Sequence, residues 1–161
     1  MYKVSLAIPI YNVSLFVERA LLSVLNQTYD NIEYLIVDDK GQDDSMDIVH
    51  RIIKDHPRGK DVRIIEHPYN IGLGATRNTA IDNAQGEYLF FMDSDDEIIP
   101  TCIEILVHKM QEHPVDFIAA SHMKKDLSGK TYPTYTYSPI LIQGDDLPVA
   151  QYRYAQNNDI Y

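Results

Sequence analysis

Four acidic residues occupy five consecutive positions, 93–97, immediately after an apolar run at residues 88–92. The apolar run predicts a strand buried on both faces, which places the carboxylates at its carboxyl end. Carboxylates packed this closely repel one another, so the cluster favours a bound cation. Asp93 and Asp95 alternate along the chain and can lean to one side as oxygen ligands for Mg²⁺ or Mn²⁺. The alternative is a solvated acidic turn that caps the next helix.

Two further polar motifs have the residue types of a ligand site. Asp38 and Asp39 follow the apolar run of residues 32–37, where one carboxylate could accept a nucleobase imide N–H or simply cap the next helix. Residues 72–77 are similar to a dinucleotide-binding loop, but Arg77 replaces its third glycine, which argues against that motif. Arg77 could instead bind a phosphate at a helix start or pair with an acidic neighbour. The six histidines show no metal-ligand spacing, and most are expected at the surface.

Alternating strands and helices must position these motifs. Strands are predicted at residues 3–8, 32–37, 62–65, 87–92 and 115–120. Helices are predicted at residues 14–25, from 45 towards Pro57, at 75–84, and from Pro100 onwards. This alternation predicts an α/β fold with right-handed crossovers and a mainly parallel sheet. Because ligands bind at the carboxyl ends of such strands, the motifs fall where a site is expected.

Several local features are expected at the element ends. Pro9 is expected to stop the first strand, and Asn12 or Ser14 to cap the first helix. Phe16, Ala20 and Val24 repeat at four-residue spacing, which predicts that they form the core-facing stripe of that helix. Asp44 or Ser45 is expected to cap the second helix, because both residue types are common N-caps. Gly86 is expected to occupy the C′ position of the third helix, where glycine is common.

The overall composition sets limits on the class of protein. A chain of 161 residues with 45% hydrophobic and 24% charged residues predicts one globular domain. The net charge of -10, with no Lys/Arg-rich run, argues against a nucleic-acid-binding surface. The single cysteine, Cys102, excludes an internal disulfide and fits a reducing compartment. No apolar run has membrane-spanning length and no signal peptide is recognised, so a cytoplasmic protein is expected.

The composition changes after Ser121, which predicts an α/β core over residues 1–121 and a Tyr/Pro-rich region over residues 122–161. Residues 124–130 predict a turn between two extended arms. Half of the 12 tyrosines lie in the later region. They could belong to edge strands and loops that cover the sheet, or form an aromatic platform for a sugar or acceptor.

Several motifs occur together in one order along the chain, at residues 5–12, 22–28, 36–39, 70–72, 75–78, 84–88 and 93–96. Together they resemble the N-terminal, nucleotide-sugar-binding half of a family 2 glycosyltransferase with the GT-A fold, over about residues 3–120. Family members usually continue further, so the chain is expected to be incomplete, with residues 122–161 beginning the acceptor-side region of the same domain.

The resemblance implies a nucleotide-binding role for six residues: Pro9, Tyr11, Asp38, Asp39, Arg77 and Asp93. Pro9 and Tyr11 would form the walls of the base pocket. Asp39, with Asp38 beside it, would hold the nucleobase, and Arg77 would lie near the nucleotide. Asp93 and Asp95 would form the DxD motif, which contacts the ribose and a Mn²⁺ or Mg²⁺ ion on the diphosphate.

The resemblance also implies a reaction. A sugar would pass from a nucleoside-diphosphate sugar, expected to be a UDP-sugar, to a hydroxyl of a glycan or lipid-linked acceptor in polysaccharide synthesis, by an inverting, metal-dependent mechanism. Asp159 is the candidate catalytic base, with Asp145 and Asp146 as competitors; Asn158 stands where a Glu is usual. Peripheral membrane association would fit a lipid-linked acceptor. The alternatives are a non-catalytic nucleotide-sugar-binding module and a Rossmann-type NAD(P) oxidoreductase, which the broken glycine pattern disfavours.

Overall fold

A computed structural model of the chain describes residues 1–126 and 128–135. The chain divides into two compact units, Met1–Pro114 and Val115–Tyr161. The first unit contains four strands and four α-helices in alternation: β1 Val4–Ile10, α1 Val17–Leu25, β2 Ile32–Asp38, α2 Ser45–Asp55, β3 Val62–Glu66, α3 Leu73–Asn83, β4 Tyr88–Phe91 and α4 Cys102–Glu112. A 3₁₀ turn, Gly59–Asp61, lies between α2 and β3. The predicted order of elements is confirmed over residues 1–114.

The four strands form one parallel sheet in the order β3-β2-β1-β4. The chain proceeds outward from β1 through β2 to β3, then crosses back to place β4 on the other side of β1. The strand order therefore reverses between β1 and β4, which is the position where open α/β sheets bind ligands. The predicted α/β fold with a mainly parallel sheet is confirmed.

Helices cover both faces of this sheet. One face of β1, with Leu6, Ile8 and Ile10, belongs to the main core cluster, which includes residues of α1, α2 and α4. The other face carries Ala7 and is packed in a smaller cluster with Ala80 of α3. The alternation of side chains along β1 thus serves two cores, which explains why β1 and β2 read as almost continuous apolar runs.

Pro9 lies inside β1 and does not stop it. Pro9 is paired in register with Val37 of β2. The carbonyl of Ile10 accepts a hydrogen bond from the β2 side and that of Ala7 from the β4 side, so alternation turns the Pro9 nitrogen towards β4. Because β4 already ends at Phe91, no strand hydrogen bond is needed there, and proline is tolerated.

The helix starts also differ from the expected caps. Neither Asn12 nor Ser14 caps α1, which follows Phe16 without a side-chain capping bond. Phe16 itself is 41% exposed, so the predicted stripe is correct only for Ala20 and Val24. Asp44 precedes α2, likewise without a side-chain capping bond. The Asn12 side chain instead forms a hydrogen bond between two loops, as described below.

Gly86 does not occupy the C′ position of α3, because the helix ends at Asn83 with Ala84 as its C-cap. A Cβ atom on Gly86 would lie 2.6 Å from the backbone nitrogen of Ser5. The Ser5 hydroxyl accepts the Gly86 N–H at 2.8 Å. A glycine is therefore required here by close packing against β1, and helix termination has no part in it.

One predicted strand is less buried than expected, and another does not form. β4 is only half-buried, with Phe91 36% exposed, because among the described residues β1 is its single strand neighbour. Residues 115–120 form no strand and are mostly exposed. An apolar run without a paired neighbour does not satisfy the backbone hydrogen bonds that define a strand. In the second unit, β5 His122–Lys125 and β6 Thr131–Tyr135 form an antiparallel pair, which confirms the predicted turn between extended arms.

Candidate active site

The loops after β1 and β2 hold each other at the carboxyl edge of the sheet. Asn12 Oδ1 accepts the Gln42 N–H at 2.7 Å, and Asp43 Oδ2 accepts the Ser14 N–H at 2.8 Å. Burial would raise the pKa of Asp43, but hydrogen bonds from Ser45 and Ser14 more than offset it and lower the pKa to about 2. The first loop, which carries Tyr11, is therefore held in place by an ionised carboxylate of the second.

Asp38, at the end of β2, is buried and bonded to the residue two positions later. Its Oδ1 accepts the Lys40 N–H at 2.8 Å, and its Oδ2 lies 3.3 Å from Lys40 Nζ. Lys40 Nζ also contacts Glu66 Oε2 at 2.7 Å. Lys40 adopts a φ of 54°, a left-handed conformation that costs a non-glycine residue of order 1 kcal/mol. Both oxygens of Asp38 thus shape this turn.

Asp39 is buried and accepts three hydrogen bonds from the loop between β3 and α3. Oδ1 accepts the Ile71 N–H at 2.9 Å and lies 2.8 Å from His67 Nδ1. Oδ2 accepts the Gly72 N–H at 2.9 Å. Gly72 has a φ of 89°, which a side chain would strain. Burial alone would raise the pKa of Asp39, but the bonds from Ile71, His67 and Gly72 together lower it.

A carboxylate oxygen offers about two acceptor positions, so the contacts of Asp39 can be accounted for individually. Oδ1 has two donors, whereas Oδ2 has one donor among the described residues. Asp39 therefore retains one acceptor position on Oδ2. The open position is compatible with the predicted nucleobase contact. The three bonds that Asp39 already accepts show that it anchors a loop, a role that the sequence did not indicate.

His67 is a residue of this edge that sequence analysis did not single out. It is only 6% exposed, unlike the surface position expected for most histidines. Its Nε2 lies 2.9 Å from Thr79 Oγ1 on α3, so its ring connects Asp39 to that helix. The available signal was its place directly after β3, at the same carboxyl edge as the aspartate pair.

Arg77 and Asp93 form an ion pair across the reversal point of the sheet. Arg77 Nη2 lies 2.8 Å from Asp93 Oδ1, with the two side chains 41% and 48% exposed. The alternative that Arg77 pairs with an acidic neighbour is thus realised, and the neighbour is the first aspartate of the acidic cluster. Exposed pairs of this kind contribute about 0–1 kcal/mol, so a ligand can separate them.

The remaining predicted site residues are placed as follows. Pro9 is half-buried near the carboxyl end of β1, and Tyr11 follows that strand with an exposed ring. Asp95 is exposed, two positions after Asp93 in the turn that the Asp96 N–H closes onto the Asp93 carbonyl at 3.1 Å. Asp159, Asp145 and Asp146 lie outside the described residues, as do the tyrosines after Tyr135.

The acidic turn has the donor set of a hard divalent cation but does not form a complete protein cage. Within residues 1–126 and 128–135, no three His, Cys, Asp or Glu side chains converge to hold a metal ion. Asp93 and Asp95 offer carboxylate oxygens, and Mg²⁺ sites commonly use one or two carboxylates completed by phosphate and water. The residues therefore fit a metal whose coordination a diphosphate completes.

The chain matches the model of glycosyl transferase family 2 over residues 5–156. An uncharacterized glycosyltransferase of Haemophilus influenzae is 32% identical over 91% of this chain and 59% of its own length. The Escherichia coli UDP-Glc:alpha-D-GlcNAc-diphosphoundecaprenol beta-1,3-glucosyltransferase WfaP is 37% identical over 78% of the chain and 49% of its own. The chain thus spans only part of the length of these relatives.

Solved structures give the same result. TarS 1-349 of S. aureus in complex with UDP-GlcNAc superposes with a TM-score of 0.65 at 26% identity, over 82% of this chain and 37% of that one. The mannosyltransferase PcManGT of Pyrobaculum calidifontis, in complex with GDP-Man and Mn²⁺, superposes with a TM-score of 0.56 at 26% identity. The match covers 60% of this chain and 28% of that one. No helix in the described part of the chain is long and apolar enough to cross a bilayer. The chain belongs to glycosyl transferase family 2 and has the GT-A fold.

Proposed function

We propose that the chain is the donor-binding part of a glycosyltransferase that moves a sugar from a UDP-sugar to an acceptor hydroxyl. The reaction would use a divalent metal and invert the anomeric centre of the sugar. The observation that carries this proposal is the Arg77–Asp93 pair at the reversal point between β1 and β4. A guanidinium suits a diphosphate and a carboxylate suits its metal, so both charges that a nucleotide-sugar diphosphate requires are present together. The TarS neighbour was solved with UDP-GlcNAc, which supports this donor class.

The donor would lie along the carboxyl edge of the sheet. Asp39 Oδ2 would accept the uracil N3–H at its remaining position, with Pro9 and Tyr11 beside the base. Asp38 would support the base site indirectly, by holding the turn that it forms with Lys40. These positions lie at or directly after the carboxyl ends of β1 and β2, the two central strands, so the base would rest against the middle of the sheet.

The diphosphate would lie on the β4 side. Arg77 would leave Asp93 and bond a phosphate oxygen, and Asp93 would contact the ribose and the metal. Asp93 and Asp95 would hold Mn²⁺ or Mg²⁺, which supplies positive charge that stabilises the departing nucleoside diphosphate. The Mn²⁺ in the PcManGT complex supports a metal of this class.

Transfer requires a base for the acceptor. The acceptor oxygen would bond to the anomeric carbon as the bond to the diphosphate breaks, and its proton would pass to a carboxylate, which we assign to Asp159. The assignment rests on the family resemblance, with Asp145 and Asp146 as the other candidates. Attack opposite to the leaving group inverts the anomeric centre.

The acceptor is proposed to be a glycan or a lipid-linked sugar. The WfaP relative is named for a diphosphoundecaprenol-linked substrate, which supports a lipid-linked acceptor and a peripheral position at a membrane surface. The single free cysteine, Cys102, fits the reducing conditions of the cytoplasm. The protein would bind its nucleotide sugar in that compartment.

A calorimetric screen of UDP-, dTDP- and GDP-sugars, each with Mn²⁺ and with EDTA, tests the donor class. We expect the UDP-sugars to bind best, and only with the metal, while NAD(P) does not bind. Equal binding in EDTA would contradict the metal role, and preferential binding of a GDP-sugar would contradict the base assignment. Donor binding without transfer to any supplied acceptor would favour a non-catalytic binding module.

A further inference from the structure

His67 is held at both ends of its ring. Nδ1 lies 2.8 Å from Asp39 Oδ1 and Nε2 lies 2.9 Å from Thr79 Oγ1. Its backbone N–H donates to the Asp38 carbonyl at 2.9 Å, which ties the start of the loop to the end of β2. The Thr79 hydroxyl also lies 3.1 Å from the Ala75 carbonyl, and its single hydrogen can be donated to only one of these two acceptors. The ring therefore has one defined position between β2 and α3.

This position decides which oxygen of Asp39 is available. An ionised carboxylate only accepts hydrogen bonds, so His67 Nδ1 must carry the proton that it shares with Oδ1. The Ile71 N–H fills the other position of Oδ1 at 2.9 Å. Oδ2 receives the Gly72 N–H at 2.9 Å and keeps one position. Without the His67 bond, Asp39 would have one open position on each oxygen.

Nucleobases differ in the number of adjacent donors that they present to a carboxylate. Uracil presents a single imide N–H between two carbonyl groups, whereas guanine presents its N1–H next to its N2 amino group. Two adjacent donors need both carboxylate oxygens. We propose that His67 is a positioning residue that saturates Oδ1 of Asp39 and so restricts the base site to a single-donor base, an inference that rests on the proposed base-binding role of Asp39.

Two matched variants separate this role from general packing. His67→Asn keeps an N–H donor at the δ position and loses the contact with Thr79. His67→Gln moves the amide one methylene further, where it can reach Thr79 but no longer saturates Oδ1. The readout is the ratio of the GDP to the UDP dissociation constant in Mn²⁺, because a loss of general stability would weaken both nucleotides together. His108→Gln, an exposed histidine on α4, serves as the control.

We expect the ratio to stay near the wild-type value in His67→Asn and His108→Gln, and to fall about tenfold in His67→Gln, which is the effect of one buried donor gaining a partner. The wild-type protein gives an independent test with IDP, whose base has the N1–H of guanine but lacks the amino group. IDP should bind about tenfold more tightly than GDP, because a buried donor without a partner is costly.

The outcomes distinguish the two proposals. If the wild type binds UDP but His67→Gln keeps the wild-type ratio, or if IDP and GDP bind equally, the His67 inference is overturned and the proposed function stands. If the wild type binds no nucleoside diphosphate, both are overturned. A His67→Gln protein that does not fold leaves the IDP comparison as the decisive measurement.

Discussion

Arg77 Nη2 lies 2.8 Å from Asp93 Oδ1, which connects the first turns of α3 to the end of β4. The Asp93 carboxylate is also a proposed metal contact, so a metal ion and the Arg77 guanidinium compete for it. A phosphate group can resolve this competition, because it offers the guanidinium an alternative partner. The ion pair therefore predicts that metal and nucleotide assist each other's binding.

Substitution Arg77→Gln should have opposite effects on the two ligands. Mn²⁺ alone should bind up to about fivefold more tightly, since an exposed competing pair worth about 0–1 kcal/mol is removed. UDP in the presence of Mn²⁺ should bind at least about tenfold more weakly, since a charge-assisted bond worth about 1.5–3 kcal/mol is lost. Calorimetry measures both. Arg51→Gln, which removes an exposed pair with Glu18, is the control; a change of the same sign for both ligands would refute the competition.

Asp39→Asn should weaken UDP binding by about 1.5–3 kcal/mol, roughly ten- to a hundredfold. The amide nitrogen would replace one acceptor oxygen and face either the uracil N–H or a loop N–H. The variant should also be less stable, because Asp39 anchors the N–H groups of Ile71 and Gly72. Calorimetry and thermal unfolding separate the two effects, with Asp82→Asn on the exposed side of α3 as the control. An unchanged UDP affinity would remove Asp39 from the base site.

The sequence predicted the fold and placed the candidate site residues at the carboxyl edge of the sheet, because both depend on local patterns. Apolar runs alternating with helical spacing define the order of elements, and the carboxyl ends of parallel strands share one edge. Asp38, Asp39 and Asp93 were placed there by position alone. What the sequence could not indicate is the direction in which a carboxylate points, and Asp39 proves to be bonded to a loop that begins 28 residues later.

The features that were missed depend on contacts between distant residues. His67 has no motif around it, and its role is visible only once Asp39 and Thr79 lie on either side of its ring. Gly86 is explained by the backbone of Ser5, which is 81 residues away. The exposure of β4 depends on its neighbours in the sheet, which an apolar run does not specify.

Asp43 gives a prediction about stability and pH. Its pKa is lowered from 3.8 to about 2 in the folded chain, so it stabilises the fold above pH 3.8 and loses that effect as the pH falls towards 2. Asp43→Asn should therefore cost about 1–2 kcal/mol near neutral pH, after allowance for solvent screening, and much less at the acid end. Urea unfolding at the two pH values measures this difference. Asp44→Asn, without a side-chain capping bond, should cost little, and equal losses at both pH values would contradict the assignment.

Asp159→Asn tests the proposed base. UDP binding should be retained while transfer falls by about 10²–10⁴, the usual contribution of a general base. Steady-state transfer assays report the rate and calorimetry reports donor binding. Asp145→Asn and Asp146→Asn provide the comparison, since the base should show the largest loss of rate with unchanged donor affinity. Undiminished transfer by Asp159→Asn would assign the base elsewhere.

We expect the acidic turn after β4 to bind a nucleoside diphosphate through a divalent metal. Calorimetric titration of UDP with Mn²⁺ and with EDTA, in the wild type and in Asp95→Ala, tests it most directly. Asp95 is exposed, so the variant should keep the thermal unfolding profile of the wild type. Asp55→Ala, at the exposed end of α2, is the matched control. We predict that Asp95→Ala loses the Mn²⁺-dependent part of UDP binding, whereas an unchanged Mn²⁺-dependent affinity would contradict a metal-mediated contact at this turn.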